Sequence, residues 1–227
     1  MIQLLKVGFN YSGADIFEAL DLRLPKGSFQ FLTGPSGSGK TTLIRLCYQA
    51  LAPTSGTIKL FGRDVRAMNR DDVAVIRRQI GVVHQDCRFL DHLNIRDNIM
   101  MPLQVSGHDL DQHIDNLIQL SKWTGLEAKM SAFPDELSGG ERQRAALARA
   151  VIMSPEVIIA DEPTGNLDET MAHQLLHLLI ELNKMGKTVL IATHDMGLIR
   201  KARSVHTARV LRIQNKRVYA QQAETVA

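Results

Sequence analysis

Phe29-Gln30-Phe31-Leu32-Thr33-Gly34-Pro35-Ser36-Gly37-Ser38-Gly39-Lys40-Thr41-Thr42 is the stretch on which the fold turns. Its first five residues form a short, apolar-rich run of strand type, and from Gly39 to about Ala50 the pattern becomes helical. Between them, Gly34 to Thr41 satisfies G-x-x-x-x-G-K-[ST]. Each residue type has a physical purpose. Glycines let the backbone turn so that successive N–H groups converge on phosphate oxygens. The helix that follows adds the positive end of its dipole. Lys40 is placed to reach the β- and γ-phosphates, and the Thr41 hydroxyl to ligate Mg2+. A Gly/Ser-rich turn can match the pattern by chance, but a strand before it and a helix after it argue against chance. Pro35, Ser36, Gly37 and Ser38 in the loop, with Thr42 behind it, complete a nucleoside-triphosphate site in an α/β protein.

Upstream, Ile2 to Phe9 and Ile16 to Leu24 read as strands, separated by the turn signal Ser12-Gly13 and followed by Pro25-Lys26-Gly27. Downstream, a strand pair is expected around Gly56 to Leu60 and a strand at Val82-Val83. From about Asp91 to Ser154 strand signals almost vanish, and helical periodicity fits Ile95–Val105, Leu110–Trp123 and Gly140–Met153. Val157-Ile158-Ile159-Ala160 is a continuous apolar run that ends in Asp161, the pattern of a parallel strand buried on both faces. A helix over Glu169–Lys184, a second buried strand over Thr188–Ala192 and a hairpin over Val205–Tyr219 close the chain. Strand, helix, strand at this spacing is a βαβ unit. The reading is an α/β core interrupted by a helical insertion of about 60 residues.

Composition narrows the classes. The 227 residues suffice for one domain with a core that needs no disulfides or metal staples. Twenty-seven Lys and Arg against 24 Asp and Glu leave a formal charge of +3, too small and too dispersed to point to nucleic acid. Cys47 and Cys87 are too few for a disulfide framework, which fits a reducing cytosol. No apolar run approaches the ~18 to 20 residues of a membrane span, and Met1 to Lys6 lack the features of a signal peptide. Action at a membrane would require a partner.

Two acids follow the buried run. Asp161, at the strand end, suits Mg2+ beside the phosphates, and Glu162 suits polarising the attacking water. Further back, Leu137-Ser138-Gly139-Gly140-Glu141-Arg142-Gln143-Arg144 precedes a helix, with Ser138 as a good N-cap and the glycines exposing backbone donors. On chemistry alone this is equally an ordinary capped helix. Leu-Ser-Gly-Gly-Glu between the phosphate loop and the Asp161-Glu162 pair resembles the signature motif of ABC-type ATPases, and the resemblance spans essentially the whole chain.

That resemblance implies a P-loop NTPase fold with a RecA-like α/β core, an antiparallel β subdomain and a helical subdomain. It implies one nucleotide-binding domain over 1–227, with about 1–88 and 155–227 as the core and its β part, and about 89–154 as the helical signature subdomain. It also implies ATP and Mg2+, and a homodimer when ATP is bound, in which Ser138, Gly139, Gly140 and Glu141 contact the ATP held by the other chain. Tyr11 matches the aromatic residue that stacks on adenine. Gln85 resembles the glutamine that senses Mg2+ and the attacking water, joining Thr41 and Asp161 at the metal. Gly165-Asn166-Leu167-Asp168 resembles the loop that crosses to the other subunit, and His194 the histidine that contacts the γ-phosphate. The implied catalytic set is Glu162, His194 and Gln85. His84 departs from the pattern, since many relatives carry Phe before the glutamine.

A lone domain without a long heptad insertion resembles a separate subunit at the cytoplasmic face of the inner membrane, held by an integral permease-like partner. Phe89, Leu90 and Leu93 lie where the family's groove takes a coupling helix, unless they simply join the core. Phe31-Leu32-Thr33-Gly34, Arg77-Arg78-Gln79-Ile80-Gly81-Val82 and Ala192-Thr193-His194-Asp195 resemble the cell-division branch of the family. Glu162-Pro163-Thr164-Gly165-Asn166-Leu167-Asp168 is shared with lipoprotein-releasing and drug-exporting branches. Contact with the division machinery, an exporter subunit and a P-loop small-molecule kinase therefore remain as readings, and none involves nucleic acid.

Overall fold

A computed structural model describes residues 1–165 and 167–221. The chain opens with β1 (Ile2–Tyr11), β2 (Ala14–Leu24) and β3 (Phe29–Thr33), then α1 (Lys40–Cys47), β4 (Ser55–Leu60), β5 (Arg63–Asp64) and α2 (Arg70–Arg77). After β6 (Ile80–Val83) come three helices, α3 (Ile95–Val105), α4 (Ile114–Thr124) and α5 (Gly139–Val151), linked by short 3-10 turns. The chain then runs through β7 (Val157–Asp161), α6 (Glu169–Lys184), β8 (Thr188–Ala192), α7 (Met196–Val205), β9 (Arg209–Gln214) and β10 (Arg217–Gln221).

Two sheets result. β2-β1-β4-β5 is antiparallel, and the larger sheet runs β10-β9-β3-β8-β7-β6, parallel throughout except for the β9–β10 pair. Strands β3, β8, β7 and β6 of the larger sheet are buried on both faces, as their unbroken apolar runs demand, whereas β9 mixes buried and exposed residues. Along β7, Val157 and Ile159 face α1 and the small sheet, while Ile158 and Ala160 face α5 and α6. β3 and β8 alternate the same way, with Leu32, Leu190 and Ala192 on one side and Phe31, Val189 and Ile191 on the other. Every parallel strand therefore ends at the same edge, and that edge is where open α/β sheets place their chemistry.

Two helices depart from the sequence expectation. α2 has Ile76 as its one buried residue among those described, so it has no apolar stripe to read; an Asn69–Asp72 capping box starts it. α7 occupies part of the stretch expected to lead into the hairpin, so Val205 ends a helix and the hairpin begins at Arg209. Asp195 caps α7 through Leu198 N at 3.0 Å, a signal the sequence contained.

Asn98, fully buried on α3, ties down the segment that follows β6. Its Oδ1 accepts from Leu90 N at 2.9 Å, and its Nδ2 donates to the carbonyls of Leu90, Leu93 and Asn94 at 2.9–3.0 Å. Asn98→Leu strands these backbone groups and is expected to cost about 1–3 kcal/mol, lowering the melting temperature by roughly 5 °C. An unchanged thermal denaturation midpoint would contradict that role.

Candidate functional site

Five parallel strands, β3, β6, β7, β8 and β9, end at the C-terminal edge of the sheet, and the loops that follow them gather there. The first follows β3. Gly39, at φ 100°, is the residue before α1, and a Cβ there would stand 2.8 Å from the Phe17 ring and 2.9 Å from Ile16. Only glycine allows both that backbone turn and the close approach of the β1–β2 hairpin. Lys40 opens α1 and reaches back, its Nζ donating to the carbonyls of Gly34 at 3.0 Å and Pro35 at 3.4 Å. Ser38 Oγ is buried without a partner, which suits a loop built to meet an anion.

The second loop follows β7. Asp161 and Glu162 are both buried, 6% and 9% exposed. Glu162 sits at φ 47°, its N–H donating to the Ala192 carbonyl at 2.8 Å. Its Oε1 lies 3.7 Å from Lys40 Nζ. Its Oε2 accepts from His194 Nδ1 at 3.0 Å and from the His194 backbone N–H at 3.4 Å. A carboxylate oxygen only accepts, so the proton belongs on Nδ1 and Nε2 faces outward. Lys40, Glu162 and His194 come from the ends of three strands yet form one connected group.

Asp161 differs from its neighbour. Its Oδ1 is buried with no hydrogen-bond partner. Burial pushes its carboxyl above the usual carboxylate range, and the Glu162 charge adds to this; the Thr41 hydroxyl and Lys40 oppose it. A cleft of about 300 Å³ opens here, lined among others by Thr41, Tyr48, His84, Gln85 and Asp161. A hydroxyl, an amide and an orphaned carboxylate oxygen around one cleft are a donor set suited to a hard cation such as Mg2+ that keeps waters and phosphate oxygens as its other ligands. His84 is half-buried, its ring edge-on to Tyr48 at 6.1 Å, so it packs as an aromatic at that position. Burial, with Arg88 beside it, pushes its imidazole below the ordinary value.

On the other flank of the loop a cleft of about 390 Å³ runs between Asp15, Ile16, Pro35, Gly37 and Ser38 and the β9–β10 turn. Tyr11 stands at the tip of the β1–β2 hairpin, 42% exposed, edge-on to Phe9 at 4.8 Å, and outside the lining of that cleft. Thr42, behind the loop, is buried.

The remaining predicted residues lie elsewhere. Ser138 and Gly139 are exposed at the start of α5 and line neither cleft. Ser138 Oγ accepts from Glu141 N at 3.3 Å while Glu141 Oε2 accepts from Ser138 N at 2.8 Å, a reciprocal cap. That bond, with the Lys129 ammonium near, holds the Glu141 carboxyl below its usual range. Gly140 is buried; a Cβ would meet Met171 Sδ at 2.8 Å, so it lets α5 lie against α6. Asp168 is exposed and caps α6 through Met171 N at 2.9 Å. Asn166 of the Gly165–Asp168 stretch lies outside the described residues, as does the chain from 222 to 227. Of the three residues assigned to a docking groove, Phe89 joins the core at 9% exposed, whereas Leu90 is 41% exposed and Leu93 half-buried. Sequence reading passed over Gln143 and Arg149 of α5, which bond the loop after β6. Their only sequence signal is a polar residue on the buried face of an amphipathic helix.

Among the described residues no helix is long and apolar enough to cross a membrane. Residues 17–165 match the ABC transporter family. The cell division ATP-binding protein FtsE of Haemophilus influenzae is 39% identical over 204 residues, 88% of this chain and 93% of that protein. FtsE of Mycobacterium tuberculosis is 38% identical over 93% and 94%, and FtsE of Escherichia coli K12 is 40% identical over 82% and 84%. A dimeric structure of the ATP-binding cassette MJ0796 in a post-hydrolysis state, bound to ADP and Pi, superposes with a TM-score of 0.86 at 28% identity, covering 97% of this chain and 98% of that one. Motif order, sheet topology and these likenesses agree: the chain belongs to the ABC transporter family of ATP-binding cassettes and falls with its FtsE proteins.

Proposed function

We propose that this chain is the Mg2+-dependent ATPase subunit of an FtsE–FtsX-type complex. The connected group Lys40–Glu162–His194, bounded by the Gly34–Thr42 loop and Asp161, carries the chemical reading. The phosphate chain of ATP lies along Gly34 to Thr41, where backbone N–H groups and the α1 dipole favour negative charge. Lys40 exchanges neutral carbonyl acceptors for phosphate oxygens, a stronger charge-assisted pairing. Thr41, Asp161 and Gln85 would hold Mg2+, which would offset the negative charge of the phosphates. Glu162 takes the proton of the attacking water, and His194, oriented by Glu162, presents Nε2 towards the γ-phosphate. Tyr11 packs on adenine from the hairpin tip.

A second copy completes the site. Ser138 and Gly139 lie exposed at a helix N-terminus, so they are free to face the ATP of the other chain, with Gly140 and Glu141 shaping that turn and Asp168 at the crossing loop. Charge on each γ-phosphate is then met from both sides, and hydrolysis removes the contact that holds the dimer closed. The dimeric cassettes among the structural neighbours support this arrangement.

The similarity to FtsE proteins over most of their length supports an integral inner-membrane partner of FtsX type at the cytoplasmic face, with dimer closure passed across the membrane to control septal peptidoglycan hydrolysis. Pull-down of the Glu162→Gln chain with Mg-ATP from detergent-solubilised membranes of the native host tests this. Recovery of FtsX with division proteins is the expected result. Recovery of a lipoprotein-releasing or exporter permease instead overturns the division role and leaves the ATPase chemistry in place.

A further inference from the structure

The loop from Gln85 to Phe89 takes its shape from α5. Gln143 Nε2 donates to the Gln85 carbonyl at 3.2 Å. The Arg149 guanidinium donates to the carbonyl of Arg88 at 2.8 Å and to that of Cys87. Cys87 and Arg88 both adopt positive φ, 55° and 45°, a conformation that non-glycine residues keep only when their surroundings hold it. Here one guanidinium holds both. It also lies 4.7 Å from the centroid of the Phe89 ring, with Arg142 at 5.6 Å from the same ring. Gln143 is 4% exposed, and its Oε1 is buried without a partner. An apolar residue would fill that position without this cost.

The geometry points to Gln143 and Arg149 as positioning residues for Gln85: Gln143 holds its backbone carbonyl, and Arg149 fixes the Cys87–Arg88 turn that follows it. One helix thereby links Ser138 and Gly139, at its first turn, to the cleft that Gln85 shares with Thr41 and Asp161. Residue chemistry supports the assignment. Two carbonyls and a ring face need a planar fork of donors, which Arg supplies and the point charge of Lys does not. The inference rests on the role given to Gln85 above.

The test uses the full chain with Arg149→Lys, Gln143→Ala, Gln85→Ala and the Arg149→Lys/Gln85→Ala double variant. Readouts are turnover, equilibrium ATP binding and amide hydrogen exchange. Arg149→Lys is expected to slow turnover by about tenfold to a hundredfold, the scale of a misplaced catalytic contact, with ATP affinity unchanged. Amides of residues 86–90 should exchange faster while those of β7 and β8 do not. The double variant should be no slower than Gln85→Ala alone, because Arg149 acts through Gln85. Losses that multiply in the double variant overturn the proposal, as do unaltered turnover and exchange in Arg149→Lys. If Arg149→Lys does not fold, Gln143→Ala decides by the same readouts, since it removes a bond and adds no buried charge. Wild-type turnover in Gln85→Ala would instead remove the underlying role of Gln85, a result distinct from failure of the positioning step.

Discussion

Glu162→Gln should bind Mg-ATP, dimerise and scarcely turn over. The substitution keeps the size of the side chain and an oxygen that accepts from His194 Nδ1, so the 3.0 Å contact orienting the imidazole survives. Its loss is the charge: an amide cannot accept the proton of an attacking water. General-base catalysis is worth about 10²- to 10⁴-fold, and turnover should fall by that range. The charge lost on Glu162 also frees Lys40, 3.7 Å away, for the γ-phosphate, so nucleotide affinity should hold or tighten. Sedimentation or light scattering with and without Mg-ATP would show the dimer, and a phosphate-release assay the loss of turnover. Normal turnover would remove Glu162 from the base role, and a monomer with ATP bound would remove the closed-dimer step.

Lys40→Ala should abolish useful ATP binding. The ammonium is buried beside Glu162, both side chains 11% exposed, and it is the charged side chain within the Gly34–Thr41 loop. Hydrogen bonds to charged groups contribute about 1.5–3 kcal/mol each. Loss of two to phosphate oxygens corresponds to roughly 10²- to 10⁴-fold weaker binding. The variant also leaves the Glu162 carboxylate facing the phosphates without its cation, which adds repulsion. Titration with a fluorescent ATP analogue measures the effect, and a dissociation constant within about threefold of the parent chain would contradict the assignment of Lys40 to the phosphates.

Much of the larger sheet was legible because its strands carry a distinctive signal. Val157–Ala160 and Thr188–Ala192 are continuous apolar runs because both faces are covered, and both runs are strands in the structure. The phosphate loop was legible for a different reason: its chemistry requires particular residue types at fixed spacing. α2 escaped because its identity lies in a cap, Asn69 with Asp72, rather than in an apolar stripe, whereas α7 offers both the Asp195 cap and a short buried stripe of Leu198, Ile199 and Ala202. Tertiary contacts also reassigned Phe89. As a sequence it is an apolar residue in a loop, equally suited to a docking surface. In the structure two arginines of α5 cover it.

Sequence by itself therefore determined the class of fold, the residue types at the phosphate loop, Asp161, Glu162, Gln85 and His194, and the family those residues resemble. The fold class, the phosphate loop, Asp161 and Glu162 depend on local spacing or on the periodicity of a single element, whereas Gln85 and His194 were legible through the family resemblance. Only the tertiary structure decided that Glu162 lies between Lys40 and His194, residues 122 and 32 positions away in the chain. Only it left Asp161 Oδ1 unpartnered. Only it put Gln143 and Arg149 on the backbone of the loop carrying Gln85, 58 to 62 positions distant. Contacts of that kind depend on which strands become neighbours in the sheet and on how a helix lies across it. Strand order follows from the burial of both faces together, and no local pattern encodes it.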